Sequence, residues 1–132
     1  MSQDLQSNRG KILVVDDEEL ILQITDQILR QAGYEVGMAQ EGEEAVKLYE
    51  EAIQQTKPFG LVIVDLTLAG NISGIEIMQR LWKLNPNTKA IVTSGYIEDP
   101  TVTRFRDFGF SAALKKPYGL MDLMTAVEKA LN

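Results

Sequence analysis

Three runs in the chain are apolar at every position: Ile12-Leu13-Val14-Val15, Leu61-Val62-Ile63-Val64 and Ala90-Ile91-Val92. Short continuous runs rich in β-branched residues suit strands covered on both faces. Residues 34–38 (YEVGM) alternate instead, which predicts an edge strand with one wet face. Residues 111–114 (SAAL) are a shorter fifth candidate. Between these runs the period becomes helical. The first helix carries Leu20, Ile21, Ile24, Ile28 and Leu29 and stops before Gly33, a residue suited to the left-handed turn after a helix. The second spans about residues 43–54 with Ala45, Tyr49, Ala52 and Ile53 on one side. The third opens at Ser73 as N-cap, buries Ile77, Met78 and Leu81 beside Trp82, and ends at Asn85-Pro86. In the fourth, Asp99 caps, Pro100 fills the first turn and Gly109 closes, with Val102, Phe105 and Phe108 as the core stripe. The fifth shows Leu120, Leu123, Met124, Val127 and Leu131 at helical spacing.

Strands alternating with helices predict an α/β fold: a doubly wound (βα)₅ parallel sheet with right-handed crossovers and helices on both faces. The alternating second strand and the short fifth belong at the edges, giving the order 2-1-3-4-5. A chain of 132 residues is too short for a (βα)₈ barrel, which needs about 250. Residues 1–9 lack apolar periodicity and are expected to be a disordered leader, leaving residues 10–132 as one domain.

Charge narrows the function. The chain has 13 basic and 19 acidic residues, a net −6, which argues against nucleic-acid backbone and anionic membrane surfaces as partners. With neither histidine nor cysteine, Ser-His-Asp and Cys-His catalysis and Cys/His zinc sites are excluded. No stretch approaches the roughly 20 apolar residues of a membrane span, and no secretory signal is visible, so a cytoplasmic location is expected.

Open parallel sheets bind ligands at the carboxyl ends of their strands, near the switch between strands 1 and 3. Strand 1 ends there in Asp16-Asp17-Glu18-Glu19, strand 3 in Asp65, strand 4 in Thr93-Ser94-Gly95 and strand 5 in Lys115-Lys116-Pro117. Two carboxylates about 4 Å apart repel by roughly 4 kcal/mol at an effective dielectric near 20, so the acids must protonate or recruit cations. With only oxygen ligands on offer, Mg²⁺ is favoured, with Mn²⁺ or Ca²⁺ as possible substitutes. The glycine-rich nucleotide motifs are absent, four acids stand where a flavodoxin-like phosphate loop needs donors, and DLTL at 65–68 lacks the second aspartate of a D-x-D phosphatase.

VVDDEE at 14–19, the G-x-E-A at 42–45, VDLTL at 64–68, SGIE at 73–76, TSGY at 93–96 and KKPY at 115–118 occur in this order on successive strand ends. With these fragments the sequence resembles a response-regulator receiver domain of the CheY-like superfamily, of flavodoxin-like fold, over residues 10–132. The resemblance implies that Asp65 accepts a phosphoryl group from a phosphohistidine on a sensor histidine kinase. It implies that Asp17 ligates Mg²⁺ directly, that Asp16 does so directly or through water, and that Asp65 and the backbone carbonyl of Thr67 complete the protein ligands. It implies that Lys116 binds Asp65 and then a phosphoryl oxygen, that Ser94 is the switch hydroxyl, and that Lys116-Pro117 is a candidate cis bond.

Three departures stand out. Ala113 occupies the place, three residues before the lysine, where the family has a phenylalanine or tyrosine. The loop after strand 3 has Ala69 for the common proline and is one residue longer before Gly74. No histidine is available to relay the phosphoryl group onward. The expected function is a Mg²⁺-dependent phospho-accepting receiver that catalyses only its own phosphorylation and slow dephosphorylation. It signals through helix 4, strand 5 and helix 5 to a downstream protein or linked output domain; a homodimer is possible, and no output domain is expected within the chain. The alternative is a pseudo-receiver, an interaction module working without phosphorylation, which Ala113 supports and the acids, Ser94 and Lys116 oppose.

Overall fold

The computed structural model describes residues 9–68, 72–96 and 98–132. Residues 1–8 of the expected leader, Ala69 and the lengthened part of its loop lie outside the described residues. The elements follow the expected alternation: β1 (Lys11–Val15), α1 (Glu19–Gln31), β2 (Glu35–Ala39), α2 (Gly42–Gln54), β3 (Leu61–Asp65), α3 (Gly74–Leu84), β4 (Lys89–Ser94), α4 (Pro100–Thr103), a 3₁₀ turn η1 (Phe105–Phe108), β5 (Ala112–Lys115) and α5 (Leu120–Leu131). The sheet is parallel in the order β2-β1-β3-β4-β5. Val15 pairs with Val64, and Asp65 pairs with Thr93, so β1, β3 and β4 finish side by side at one edge.

Alternate residues of the central strands feed two cores. Leu13, Val15, Val62, Val64, Ala90 and Val92 face α2 and α3, meeting Ala45, Tyr49, Ile77, Met78 and Leu81. Ile12, Val14, Leu61, Ile63 and Ile91 point the other way, toward Leu22 and Leu29 of α1 and Leu123 and Val127 of α5. This two-sided burial is what the all-apolar runs encode. At the foot of the first core the hydroxyls of Tyr49 and Thr88 are hydrogen-bonded, and Trp82 Nε1 donates to the Thr88 carbonyl, so these buried polar atoms are satisfied.

The caps fall where the sequence puts them. Ser73 Oγ accepts from the Glu76 N–H, Asp99 Oδ1 accepts from the Thr101 N–H, and α3 stops at Asn85 before Pro86. Gly109 closes the fourth segment at φ +94, where a Cβ would also meet the Trp82 ring at 2.9 Å.

Several helix faces differ from the expected ones. On α1, Leu20 is 68 % exposed and Ile24 is also exposed, while Leu22, Thr25 and Leu29 are buried. The helix is apolar on more than one side, and contact with the sheet selects the face that carries Thr25. Ile53 of α2 and both Leu120 and Leu131 of α5 are likewise exposed; α5 buries the small residues Ala126 and Ala130 beside Leu123 and Val127. The fourth segment is a single helical turn followed by η1, broken at Arg104 with φ −122 and ψ 44. Val102 and Phe105 pack on the core, Phe108 is exposed, and Phe110 is the buried aromatic, edge-on to Trp82.

Leu22→Ala is therefore expected to cost about 2–5 kcal/mol in urea denaturation, whereas Leu20→Ala, two residues away on the same helix, should change stability by less than about 0.5 kcal/mol. Equal losses would contradict this assignment of the α1 face.

Candidate functional site

The carboxyl edge of the sheet collects Asp16 and Asp17 just beyond β1, Asp65 as the last residue of β3, and Ser94 as the last of β4. Lys116, just past β5, reaches back across it. Asp16 and Asp65 are only 2 % and 3 % exposed. Buried carboxylates need compensation, and one ammonium supplies it: Lys116 Nζ lies 2.7 Å from Asp16 Oδ2 and 3.1 Å from Asp65 Oδ2. The same ammonium is 3.0 Å from Glu18 Oε2, whose side chain faces solvent.

Backbone groups hold the remaining carboxylate oxygens. The Glu18 N–H donates to Asp16 Oδ1 at 2.9 Å, and the Thr67 N–H donates to Asp65 Oδ1 at 3.2 Å. Each aspartate thus turns one oxygen to its own loop and the other to Lys116. Ser94 is fully buried, and its hydroxyl oxygen accepts from the Tyr96 N–H at 3.0 Å. Gly74 explains how α3 comes so near: its N–H reaches the Leu66 carbonyl, and a Cβ there would stand 2.4 Å from the Asp65 carbonyl oxygen. Asp17, Glu18, Asp65, Thr67, Tyr96 and Lys116 line an open cleft of about 600 Å³.

Burial pushes the Asp16 carboxyl above the ordinary aspartate value, and Asp65 repulsion adds to it, while hydrogen bonds from Lys116 and the Glu18 N–H pull the other way. For Lys116, burial works against the ammonium, but hydrogen bonds to Asp16, Glu18 and Asp65 outweigh it and hold the group above the ordinary lysine value. Burial also raises the Tyr118 phenol, against its hydrogen bond with Thr25.

Asp16, Asp65 and Lys116 are therefore in direct contact, with the Thr67 backbone at the same rim. Oxygen atoms of Asp16, Asp17 and Glu18 lie within 4.8 Å of one another, a spacing open to a single cation. This hard, all-oxygen donor set fits a divalent cation of the Mg²⁺ type. Glu18 is the member that sequence reasoning left without a role; its signal was its position directly after the aspartate pair. Also missed was the 2.9 Å hydrogen bond between the hydroxyls of Thr25 and Tyr118, which ties α1 to the segment carrying Lys116. The Lys116-Pro117 bond is cis, as anticipated.

Two outcomes follow from this geometry. Gly74→Ala should displace the end of β3 and lower the melting temperature, whereas Gly95→Ala, where a Cβ would meet no atom within 4 Å, should not. The second concerns pH. Asp16 keeps its proton to higher pH in the folded chain than unfolded, so stability falls as pH rises from the unfolded value of 3.8 through the raised folded one. Lys116→Met removes the charge that opposes the shift, so in chelated buffer its stability should fall more steeply over the same range and continue to fall at higher pH. Urea midpoints measured across pH test this; parallel profiles for the two proteins would contradict it.

A family model described as the response regulator receiver domain matches residues 12–128. Among curated proteins, chemotaxis protein CheY of Thermotoga maritima is 32 % identical, covering 90 % of this chain and 95 % of its own length. Transcriptional regulatory protein PdtaR of Mycobacterium tuberculosis is 35 % identical over 92 % of this chain but only 57 % of its own, so the chain spans little more than half of some relatives. Among solved structures, a CheY-like receiver from Methanospirillum hungatei superposes with a TM-score of 0.79 at 31 % identity, covering 92 % of this chain and 93 % of that one. A chain of the CheX-CheY-BeF3-Mg+2 complex from Borrelia burgdorferi shares the fold at a TM-score of 0.83 and 22 % identity, covering 93 % and 90 %. Receivers are signalling modules that work with histidine kinases and output domains, and no helix among the described residues is long and apolar enough to cross a membrane. With its sheet order, its lysine-bridged acids and the match over residues 12–128, the chain belongs to the response regulator receiver domain family.

Proposed function

We propose that the chain is a phospho-accepting receiver whose acceptor is Asp65 and whose donor is a phosphohistidine on a sensor histidine kinase. One observation carries the reading: a nearly inaccessible Asp65 shares the ammonium of Lys116 with an equally buried Asp16, at the mouth of an open cleft. A carboxylate so held is oriented for in-line attack. One Asp65 oxygen attacks phosphorus, the phosphorus–nitrogen bond to the imidazole breaks, and an acyl phosphate forms.

The chain's own groups supply the positioning. The Thr67 N–H fixes one Asp65 oxygen, and Lys116 stabilises charge on the incoming phosphoryl oxygens. The Ser94 hydroxyl, at the end of the adjoining strand, turns to the phosphoryl group once it is attached, and that movement shifts the surface of α4, β5 and α5 between two states. Asp16, Asp17, Asp65 and the Thr67 carbonyl would hold Mg²⁺, with Glu18 as a further oxygen at its edge. When bound, Mg²⁺ supplies positive charge that offsets repulsion between an anionic nucleophile and an anionic phosphoryl group. Catalysis is confined to the chain's own phosphorylation and slow hydrolysis of the acyl phosphate. The setting is cytoplasmic, with the signal passing to a downstream protein or a linked output domain.

Incubation with acetyl phosphate and Mg²⁺, followed by intact-mass measurement, should show a gain of one phosphoryl group. Asp65→Asn or chelation of the metal should abolish it, and Lys116→Met should slow it by about 10²-fold or more, the scale of losing one electrostatic stabiliser. An unmodified wild-type chain, with beryllofluoride also failing to bind, would overturn the reading.

A further inference from the structure

Asp65 ends a strand, but Lys116 stands one residue past β5, on the loop that leads to α5. A group carried on a loop is held less precisely than one on a strand or helix. Two contacts anchor this loop. The Lys116 N–H donates to the Ser94 carbonyl at 2.8 Å, which fixes it to β4. Two residues on, the hydroxyl of Tyr118 is hydrogen-bonded to that of Thr25 at 2.9 Å, which fixes it to α1.

Thr25 is fully buried on the face of α1 that also buries Leu22 and Leu29, and Tyr118 packs against the same core. Valine and phenylalanine would keep nearly the same shapes at these two positions, so packing requires neither hydroxyl. What the hydroxyls add is direction. α1 begins at Glu19, directly after Asp16, Asp17 and Glu18, so one helix sets the acid loop at its start and the lysine loop at Thr25. Burial is the main cause of the raised Tyr118 phenol, and the charges of Asp16, Lys116 and Asp65 act on it as well. The phenol therefore sits within electrostatic reach of the acid cleft.

We propose that Tyr118, through its hydrogen bond with Thr25, is a positioning residue for Lys116, holding the loop after β5 where the ammonium reaches Asp65 and Asp16 together. Tyr118 acts only through Lys116 and is not itself catalytic. Without the bond, the lysine loop is held by β4 alone, and the ammonium leaves the point between the two acids more often. The inference deepens the receiver reading and rests on it for the reaction, because Lys116 is the group that meets the incoming phosphoryl oxygens.

The test compares Tyr118→Phe, Thr25→Val, the double variant and Thr25→Ser in the full chain. The first readout is the lysine side-chain NMR signal of Lys116 in chelated buffer, identified by its loss in Lys116→Met. Its ammonium protons should exchange with water about tenfold faster in Tyr118→Phe and Thr25→Val, the scale of one lost hydrogen bond. The second readout is phosphoryl uptake from acetyl phosphate with Mg²⁺, which should slow by about tenfold or more, as expected of a misplaced catalytic group. Thr25→Ser keeps the hydroxyl and should match wild type in both. The double variant leaves neither hydroxyl unpaired, so it should melt within about 4 °C of wild type and be no slower than either single variant. Wild-type proton exchange in Tyr118→Phe, losses that add in the double variant, or Thr25→Ser as impaired as Thr25→Val would overturn the proposal. A wild-type chain that takes up no phosphoryl group would sink the phosphorylation reading and leave the exchange rates to decide the positioning of Lys116. A phosphorylated chain whose variants keep the wild-type rate would sink the positioning role alone.

Discussion

Asp16 and Asp65 lie almost out of water within reach of a single ammonium, and that arrangement constrains everything around it. Two buried like charges so close together repel, and a cation between them offsets that repulsion. Lys116 meets that need from just past the end of β5, which requires the sheet to finish β1, β3 and β5 at the same edge. The parallel pairing does so, and the order β2-β1-β3-β4-β5 sets β1 and β3 side by side there. The fold and the site are one problem: the two hydrophobic cores hold the strand ends in register, and the register brings the acids together.

The same pairing concentrates three acidic contacts on one ammonium. Lys116 balances two buried acids, and Glu18, facing solvent, adds a third contact. A ligand that brings its own positive charge, or changes the charge on Asp65, must redistribute those contacts. On the neighbouring strand end the Ser94 hydroxyl accepts from the Tyr96 N–H, which ties the end of β4 to the chain leading to α4. Ala113 lies on β5 beside Val92 of β4 and packs against the first core.

Much of the fold was legible because its signals are local. Short β-branched runs apolar at every position suit central strands of a covered parallel sheet, and capping residues such as Ser73 and Asp99 mark helix starts by their own hydrogen bonds. The helix faces were less legible, because α1 has apolar residues on more than one side and α5 mixes large exposed residues with small buried ones. Thr25 is the clearest case: a hydroxyl takes a fully buried position on α1 because Tyr118, distant in sequence, completes its hydrogen bond. The early break in the fourth segment came from the backbone at Arg104, which no residue preference announces. At the site, Asp16, Asp65 and Lys116 could be named in advance since strand ends are predictable; the role of Glu18 could not, since it depends on where a flexible Lys116 chain comes to rest.

A crystal structure of the chain with Mg²⁺ and beryllofluoride addresses the central claim most directly. The account predicts beryllium bonded to an Asp65 oxygen, the cation among Asp16, Asp17 and the Thr67 carbonyl, and Lys116 moved off Asp16 to a fluorine. A structure in which Asp65 stays unmodified and Lys116 still bridges it to Asp16 at saturating concentrations of both would contradict the account.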